Sequence, residues 1–228
     1  MKTVVLGVIC ALLIGLTCSV SKATTIYDSF GGEEYAPSCP IMWEYDEGFT
    51  MGICSAFQFT VAPGTDYTLN SVTLVLAQFM GVENVKISIR DNNGVLPNTL
   101  VEKITENPGN ITDTPTALTY NSTDHPTLSA GTTYWLTLEP KTENTVSDIN
   151  NCMMDWYTSN TASVSGATKM YMEGSWGEWG ATGPELREGA FRIIGTAVPE
   201  PSSIAFFGIG LLGLIGGWIR RRAATRNT

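Results

Sequence analysis

The stretch "SVTLVLAQFM", residues 71–80, decides the fold. Val72, Leu74 and Leu76 alternate with Thr73 and Val75, a period of two that sends successive side chains to opposite faces of a strand. A helix would need apolar residues three and four apart. The same alternation recurs outward in both directions. In "VKISIR" (85–90), Val85, Ile87 and Ile89 oppose Lys86, Ser88 and Arg90. In "YWLTL" (134–138), Tyr134, Leu136 and Leu138 oppose Trp135 and Thr137. "AFRIIG" (190–195) sets Phe191 and Ile193 facing one way.

No stretch from Thr24 to Val198 has sustained helical periodicity. Turn residues fall between the runs: Pro63-Gly64, Asp91-Asn92-Asn93-Gly94, Pro108-Gly109, Ala130-Gly131 and Gly183-Pro184. Short strands so punctuated predict an all-β, antiparallel β-sandwich, jelly-roll-like, of about eight or nine strands. Glu33 to Gly52 carries few strand signals and reads as a long loop pinned by Cys39.

The ends of the chain differ from this middle. Lys2 and the apolar Val4 to Val20, followed by Ser21-Lys22-Ala23, read as a secretory signal peptide over residues 1–23. Ile204 to Ile219 has no charge. As a helix these 16 residues would reach about 24 Å, against a bilayer core of about 30 Å. Trp218 and the arginines Arg220, Arg221 and Arg222 behind it form a membrane stop, with positive charge kept on the cytoplasmic side. The predicted organisation is a signal peptide (1–23), a β-sandwich ectodomain (24–197) and a C-terminal segment (198–228) with one transmembrane helix over 204–219.

"VPEPSS" (198–203), then an apolar run with glycines, then an arginine cluster, resembles the PEP-CTERM sorting signal of Gram-negative bacteria. The two prolines hold the backbone extended and outside the helix, as a protease cleft requires. The resemblance implies that Pro199, Glu200 and Pro201 are a recognition element for an exosortase-type membrane processing enzyme, of which this chain is a substrate. It also implies a protein exported, held at the inner membrane by its C-terminal helix, then released to the cell surface or extracellular matrix of a biofilm- or polysaccharide-producing cell. A second resemblance covers most of 53–196. "FTVAPGTDYTLNSVTLVL", "ISIRDNNGVLPNTLV", "LSAGTTYWLTLEP" and "AFRIIG" are similar to choice-of-anchor R domains of anchored bacterial surface proteins. Pro97-Asn98 stands where that pattern shows Pro-Gly. This likeness implies architecture and display, with no catalysis.

Residues 24–198 hold 7 basic and 21 acidic residues, a net charge of −14. Such a surface repels nucleic acid, which is excluded as a partner. Three cysteines remain after the signal peptide, an odd number for an oxidising compartment. A disulfide between Cys39 and Cys54 is the first pairing to consider, Cys54 with Cys152 its competitor. No metal site is expected: His125 is the only histidine, and no residues have zinc-ligand spacing. No cofactor is expected either, calcium being the one ion the acidic surface would suit. Asp91-Asn92-Asn93-Gly94 offers calcium-type oxygens, but Asn-Gly between strand-like runs is first a hairpin turn.

Tryptophan faces can stack on sugar rings. "GSWGEWG" (174–180) places Trp176 and Trp179 among glycines, poorly suited to fill a core. Trp135 is expected either on the outer face or in a second core layer. Trp176, Trp179 and Trp135 are therefore the candidate sugar-binding residues, set against core aromatics as the ordinary alternative. His125 lacks a nucleophile motif. Asp155 beside Trp156, and Glu173 and Glu178 near Trp176, are the carboxylates to weigh, and no spacing selects a catalytic pair from them. The expectation is thus a non-catalytic, surface-anchored protein, and the PEP-CTERM resemblance, rather than any residue of the ectodomain, implies its association with extracellular polysaccharide or biofilm matrix. A carbohydrate-binding module is the alternative, and a glycoside hydrolase is third.

Overall fold

β4 (Tyr67–Met80), which contains the deciding stretch, is the longest strand and a hub of the fold. The computed structural model describes residues 22–30, 36–46, 49–80, 85–94, 96–105, 111–140, 152–158, 166–172, 175–176, 178–181 and 189–199. The predicted signal peptide, apart from its last two residues, and the 204–219 segment lie outside these.

The described residues form strands and turns only. In chain order the strands are β1 (Ala23–Asp28), β2 (Ala36–Asp46), β3 (Phe49–Thr60), β4, β5 (Val85–Asn92), β6 (Pro97–Thr105) and β7 (Thr116–Asn121). They continue with β8 (Thr127–Leu128), β9 (Thr133–Pro140), β10 (Cys152–Thr158), β11 (Gly166–Met172), β12 (Ser175–Trp176), β13 (Gly180–Ala181) and β14 (Phe191–Ala197). Every pairing is antiparallel.

Two sheets face each other. One runs β1-β14-β4, with β7 and β8 on the far side of β4. The other runs β11-β3-β9-β5-β6, with β12 and β13 on the far side of β11. β10 and β2 join them, since β10 pairs with the end of β4 and β2 pairs with the start of β3. The sandwich class therefore holds. The strand count among the described residues is 14, above the expected eight or nine, because several strands are too short to show alternation and β2 falls in the segment that reads as loop.

β2 corrects the sequence reading of Glu33 to Gly52. Pro37 and Pro40 argue against a strand inside a sheet, because proline donates nothing to a ladder. Here Pro40 lies opposite Asp155 and Pro37 opposite Tyr157, and the register slips between Trp156 and Tyr157. That irregularity lies beside Pro37, and both prolines precede Met42, where the pairing of β2 with β3 begins.

The alternating residues meet as read. Val72, Leu74, Leu76, Val85, Ile87, Ile89, Leu136, Leu138, Phe191 and Ile193 are all fully buried in one cluster. Phe57, Phe59, Trp156 and Phe191 knit its centre by edge-on contacts, Phe57 and Trp156 at 4.9 Å and 87°, a favoured aromatic geometry. Leu69 joins the same core although it is odd in phase with Val72. The register shift opposite Ile194 and Gly195 inserts Asn70 and turns Leu69 inward.

The opposite faces of these strands are partly covered as well, which alternation alone does not reveal. Val75 and Ala77 pack with Tyr157, Ala190 and Phe30. Trp135 packs with Ala56, Ala167, Leu96 and Trp179.

Candidate functional site

Each residue singled out in the sequence takes a definite place where it is described. Trp135 is 0% exposed and lies in the second core layer, and its indole N–H donates to Asn92 Oδ1 at 3.0 Å. A covered indole presents no face to a sugar, so Trp135 leaves the candidate set. Trp179 is half-buried against that layer. β12, which holds Trp176, and β13, which follows Trp179, both pair with β11: Trp176 lies opposite Tyr171 and Gly180 opposite Thr168. The side chain of Trp176 lies outside the described residues.

The Asp91–Gly94 segment is a hairpin turn. Gly94 adopts φ 77°, the left-handed region that glycine enters without strain, and Asn93 N–H donates to the Leu96 carbonyl at 3.0 Å. Two of its side-chain oxygens are engaged. Asp91 Oδ1 accepts from Thr99 N–H and Asn92 Oδ1 from Trp135. The described residues contain no cluster of His, Cys, Asp or Glu able to hold a metal ion.

His125 has φ 49°. Its Nδ1–H donates to the Leu69 carbonyl at 3.0 Å and its backbone N–H to Ser122 Oγ at 3.0 Å. It belongs to a turn organised by Glu102, whose residue is 1% exposed. The Glu102 carboxylate accepts from Ser122 Oγ, from Thr123 N–H at 2.7 Å and from Asp124 N–H at 3.0 Å. Sequence reasoning missed Glu102, because in "LVEKIT" it reads as an ordinary outward charge. Glu139, also buried, accepts from Arg90 Nη2 at 3.0 Å and lies 3.4 Å from Lys86 Nζ.

Asp155 projects from β10 between Pro40 and Ala77 of the flanking strands. Burial raises its pKa above the ordinary 3.8. Tyr157 is raised above 10.0 by burial and then by the Asp155 charge. Glu178 is exposed, and Glu173 lies outside the described residues. Cys54 is buried on β3, opposite Lys169 of β11. Cys39 lies opposite Trp156 of β10, and Cys152 opposite Trp43. The side chains of Cys39 and Cys152 are outside the described residues.

The candidate site that remains is the end of the fold where β1 begins and β14 ends. Ala23 of β1 lies opposite Thr196 of β14. Ala197 pairs with Tyr67, and Val198 N–H donates to the Asp66 carbonyl at 2.8 Å. The Asp66 carboxylate in turn accepts from Ala130 N–H at 2.8 Å, tying the 129–132 turn to the same end. Pro199 follows, exposed. Glu200, Pro201, Trp218 and Arg220 to Arg222 lie outside the described residues.

Residues 197–222 match the PEP-CTERM protein-sorting motif. No curated protein matches the chain. Among solved structures, the chain is similar to the cysteine protease and lectin-like domains of Cwp84, a surface layer associated protein of Clostridium difficile. That likeness has 11% identity and a TM-score of 0.43, over 72% of this chain and 37% of that one. The chain thus spans little more than a third of that structure, and the likeness is too distant to carry function across.

The sorting motif marks an exported protein processed by an exosortase, a membrane enzyme.

Proposed function

We propose that this chain is a non-catalytic β-sandwich protein displayed at the cell surface, where it associates with extracellular polysaccharide. The observation that carries the reading is a sorting motif at 197–222 abutting the last paired residue of the fold. Such a chain is built to deliver its ectodomain outside. The absence of catalysis is supported by how the described polar groups are used. Glu102 and His125 hold a turn, Asp91 and Asn92 close a hairpin, and Glu139 sits between two cations. Each is committed to its own fold.

The test is fractionation of the full chain from its native host and from a host lacking the exosortase. The expected result is surface or matrix material in the first and membrane-bound precursor in the second. A precursor that stays in the membrane in both overturns the reading.

A second reading, a carbohydrate-binding module acting through Trp176 and Trp179, is favoured by the pairing of β12 and β13 with β11. That pairing sets both tryptophans beside one strand. Titration of the ectodomain with the host's extracellular polysaccharide, with and without calcium, follows tryptophan emission. Saturable binding lost in Trp176→Ala and Trp179→Ala supports this module. Binding that survives both substitutions assigns the contact elsewhere.

A further inference from the structure

The outward face of β5, β9 and β6 carries positive charge on an acidic protein. Cross-strand partners project to the same side of a sheet. Lys86 lies opposite Glu139, Ser88 opposite Thr137 and Arg90 opposite Trp135, and Lys103 of β6 lies opposite Ser88. On β5 these positions alternate with the core residues Val85, Ile87 and Ile89. Lys86, Arg90 and Lys103 are three of the 7 basic residues in 24–198, a span of net charge −14. Glu139 is the one carboxylate among the residues so paired. It accepts from Arg90 and lies beside Lys86, both partly exposed, so a single negative charge answers two cations. Lys103 is exposed beside them.

The same face holds hydrogen-bond capacity that the fold does not use. Ser88 is 0% exposed, and its Oγ has no partner among the described residues. Arg90 Nε has none either, although Nη1 bonds the Asn98 carbonyl and Nη2 bonds Glu139. Buried donors left over in a native fold ask for a use. The row through Ser88 continues over small side chains, Thr137, Ala56 and Ala167. Trp179 packs half-buried at its far end, against the cluster of Ala56, Trp135 and Ala167. From β6 to β11 the row crosses four strand spacings, about 19 Å, the length of a short oligosaccharide.

Resting on the polysaccharide reading above, we propose that the partner is an acidic polysaccharide, one that carries sugar carboxylates, and that it lies across this row. Lys86, Arg90 and Lys103 meet its carboxylates, and Trp179 takes the face of a neighbouring sugar. Lys86, two residues along β5, and Lys103, across on β6, are long flexible chains. Their movement opens the Ser88 hydroxyl to a carboxylate oxygen, to which it donates. The acidic remainder of the surface is compatible with this. At physiological salt the screening length is about 8 Å, so cations in contact outweigh distant acids. Duplex nucleic acid carries a charge per about 1.7 Å and meets the acidic remainder along its length, whereas a sugar chain brings its carboxylates far more sparsely.

The test uses the full chain in a non-ionic detergent and reads the anisotropy of a fluorescent oligogalacturonide, an acidic probe, beside its carboxyl-reduced neutral form. The expected result is saturable binding of the acidic probe that weakens as salt rises, with the neutral form bound several-fold more weakly. Lys103→Gln and Ser88→Ala are each expected to weaken binding several-fold. The Ser88 hydroxyl has no partner in the fold, so Ser88→Ala should melt no lower than wild type, which separates a ligand contact from a structural effect. Arg192→Gln, on β14 of the other sheet, is expected to bind as wild type. Equal binding of both probes, or Lys103→Gln and Ser88→Ala chains that bind as wild type, overturns the proposal and leaves the polysaccharide reading standing. If neither probe binds, the proposal falls, and titration with the host's own extracellular polysaccharide then decides the reading: binding keeps it, and none overturns it as well.

Discussion

Glu102 Oε2 and the hydroxyl of Ser122 stand 2.7 Å apart, a buried carboxylate on β6 holding the turn that follows β7. The same carboxylate takes the backbone N–H groups of Thr123 and Asp124. Charge-assisted bonds of this kind are shorter and stronger than neutral ones, and they offset the desolvation of a carboxylate inside the sandwich. The turn in turn positions Pro126, whose carbonyl accepts from Leu69 N–H at 2.9 Å. The carboxylate thus supports the region where β4 shifts register.

Glu102→Gln keeps the shape but replaces one acceptor oxygen with a donor facing other donors. The expected loss is about 2 kcal/mol, read as a lower urea midpoint with an unchanged slope. Ser122→Ala removes one donor to the carboxylate and the acceptor of the His125 N–H, but leaves the Thr123 and Asp124 N–H groups on Glu102, and is expected to cost less. Equal stability of Glu102→Gln and wild type would show that the turn does not depend on the charge.

Gly189 and Gly195 are held by close approach. A Cβ at Gly189 would meet the Trp156 ring at 2.6 Å and the Phe57 ring at 2.8 Å. At Gly195 the obstacle includes backbone. Gly180, by contrast, has only the Thr168 carbonyl oxygen at 3.9 Å, an ordinary contact. Gly189→Ala and Gly195→Ala are each expected to lose about 1–3 kcal/mol through overpacking, while Gly180→Ala stays close to wild type. Thermal melts of the three variants side by side check this ranking, and three equal melting points would contradict it.

How much of this was legible follows from where alternation carries information. Val72, Leu74, Leu76, Ile87, Ile89, Leu136 and Leu138 announce themselves because one face of their strands is wholly apolar. The Asn93-Gly94 turn is legible because few other residues adopt positive φ. β2 is hidden because Pro37 and Pro40 look like strand breakers, and they fit because they stand in the part of β2 that, among the described strands, pairs with β10 and not with β3. Glu102 and Glu139 were hidden because a charged residue within a strand run reads as solvent-facing, and their partners lie 20 and 49 positions away. Trp135 was undecided for a related reason. Its strand alternates correctly, but the cover on its outer face comes from β3, β11 and the segment holding Trp179.

Trp135 and Trp179 should therefore respond differently to truncation. Trp135→Ala opens a cavity in a fully buried layer and leaves Asn92 Oδ1 without its indole donor. It is expected to cost about 3–5 kcal/mol. Trp135→Phe refills most of the volume and should lose only about 1–2 kcal/mol, mainly the hydrogen bond. Trp179→Ala removes a half-buried ring and should destabilise less than Trp135→Ala. Denaturant melts of the three rank them. A Trp135→Ala protein as stable as Trp179→Ala would contradict the two-layer packing.

Asp155 gives a prediction whose sign is set by burial. Its folded-state pKa lies above the ordinary 3.8 because desolvation disfavours the carboxylate, so between these two values the folded state binds more protons than the unfolded state. Its contribution to stability therefore falls as pH rises through that window and remains unfavourable at neutral pH. Asp155→Asn removes the charge, and its melting point should exceed that of wild type at pH about 7. The gap should close as the pH is lowered through the raised pKa, and vanish once both chains are neutral at this position. The Tyr157 hydroxyl supplies an independent readout. Burial raises it first and the Asp155 charge second, so in the variant its alkaline titration, followed by tyrosinate absorbance, should move part of the way back toward 10.0. A melting-point gap that is constant with pH, together with an unmoved Tyr157 titration, would mean that Asp155 is well solvated and uncoupled from its neighbour on β10.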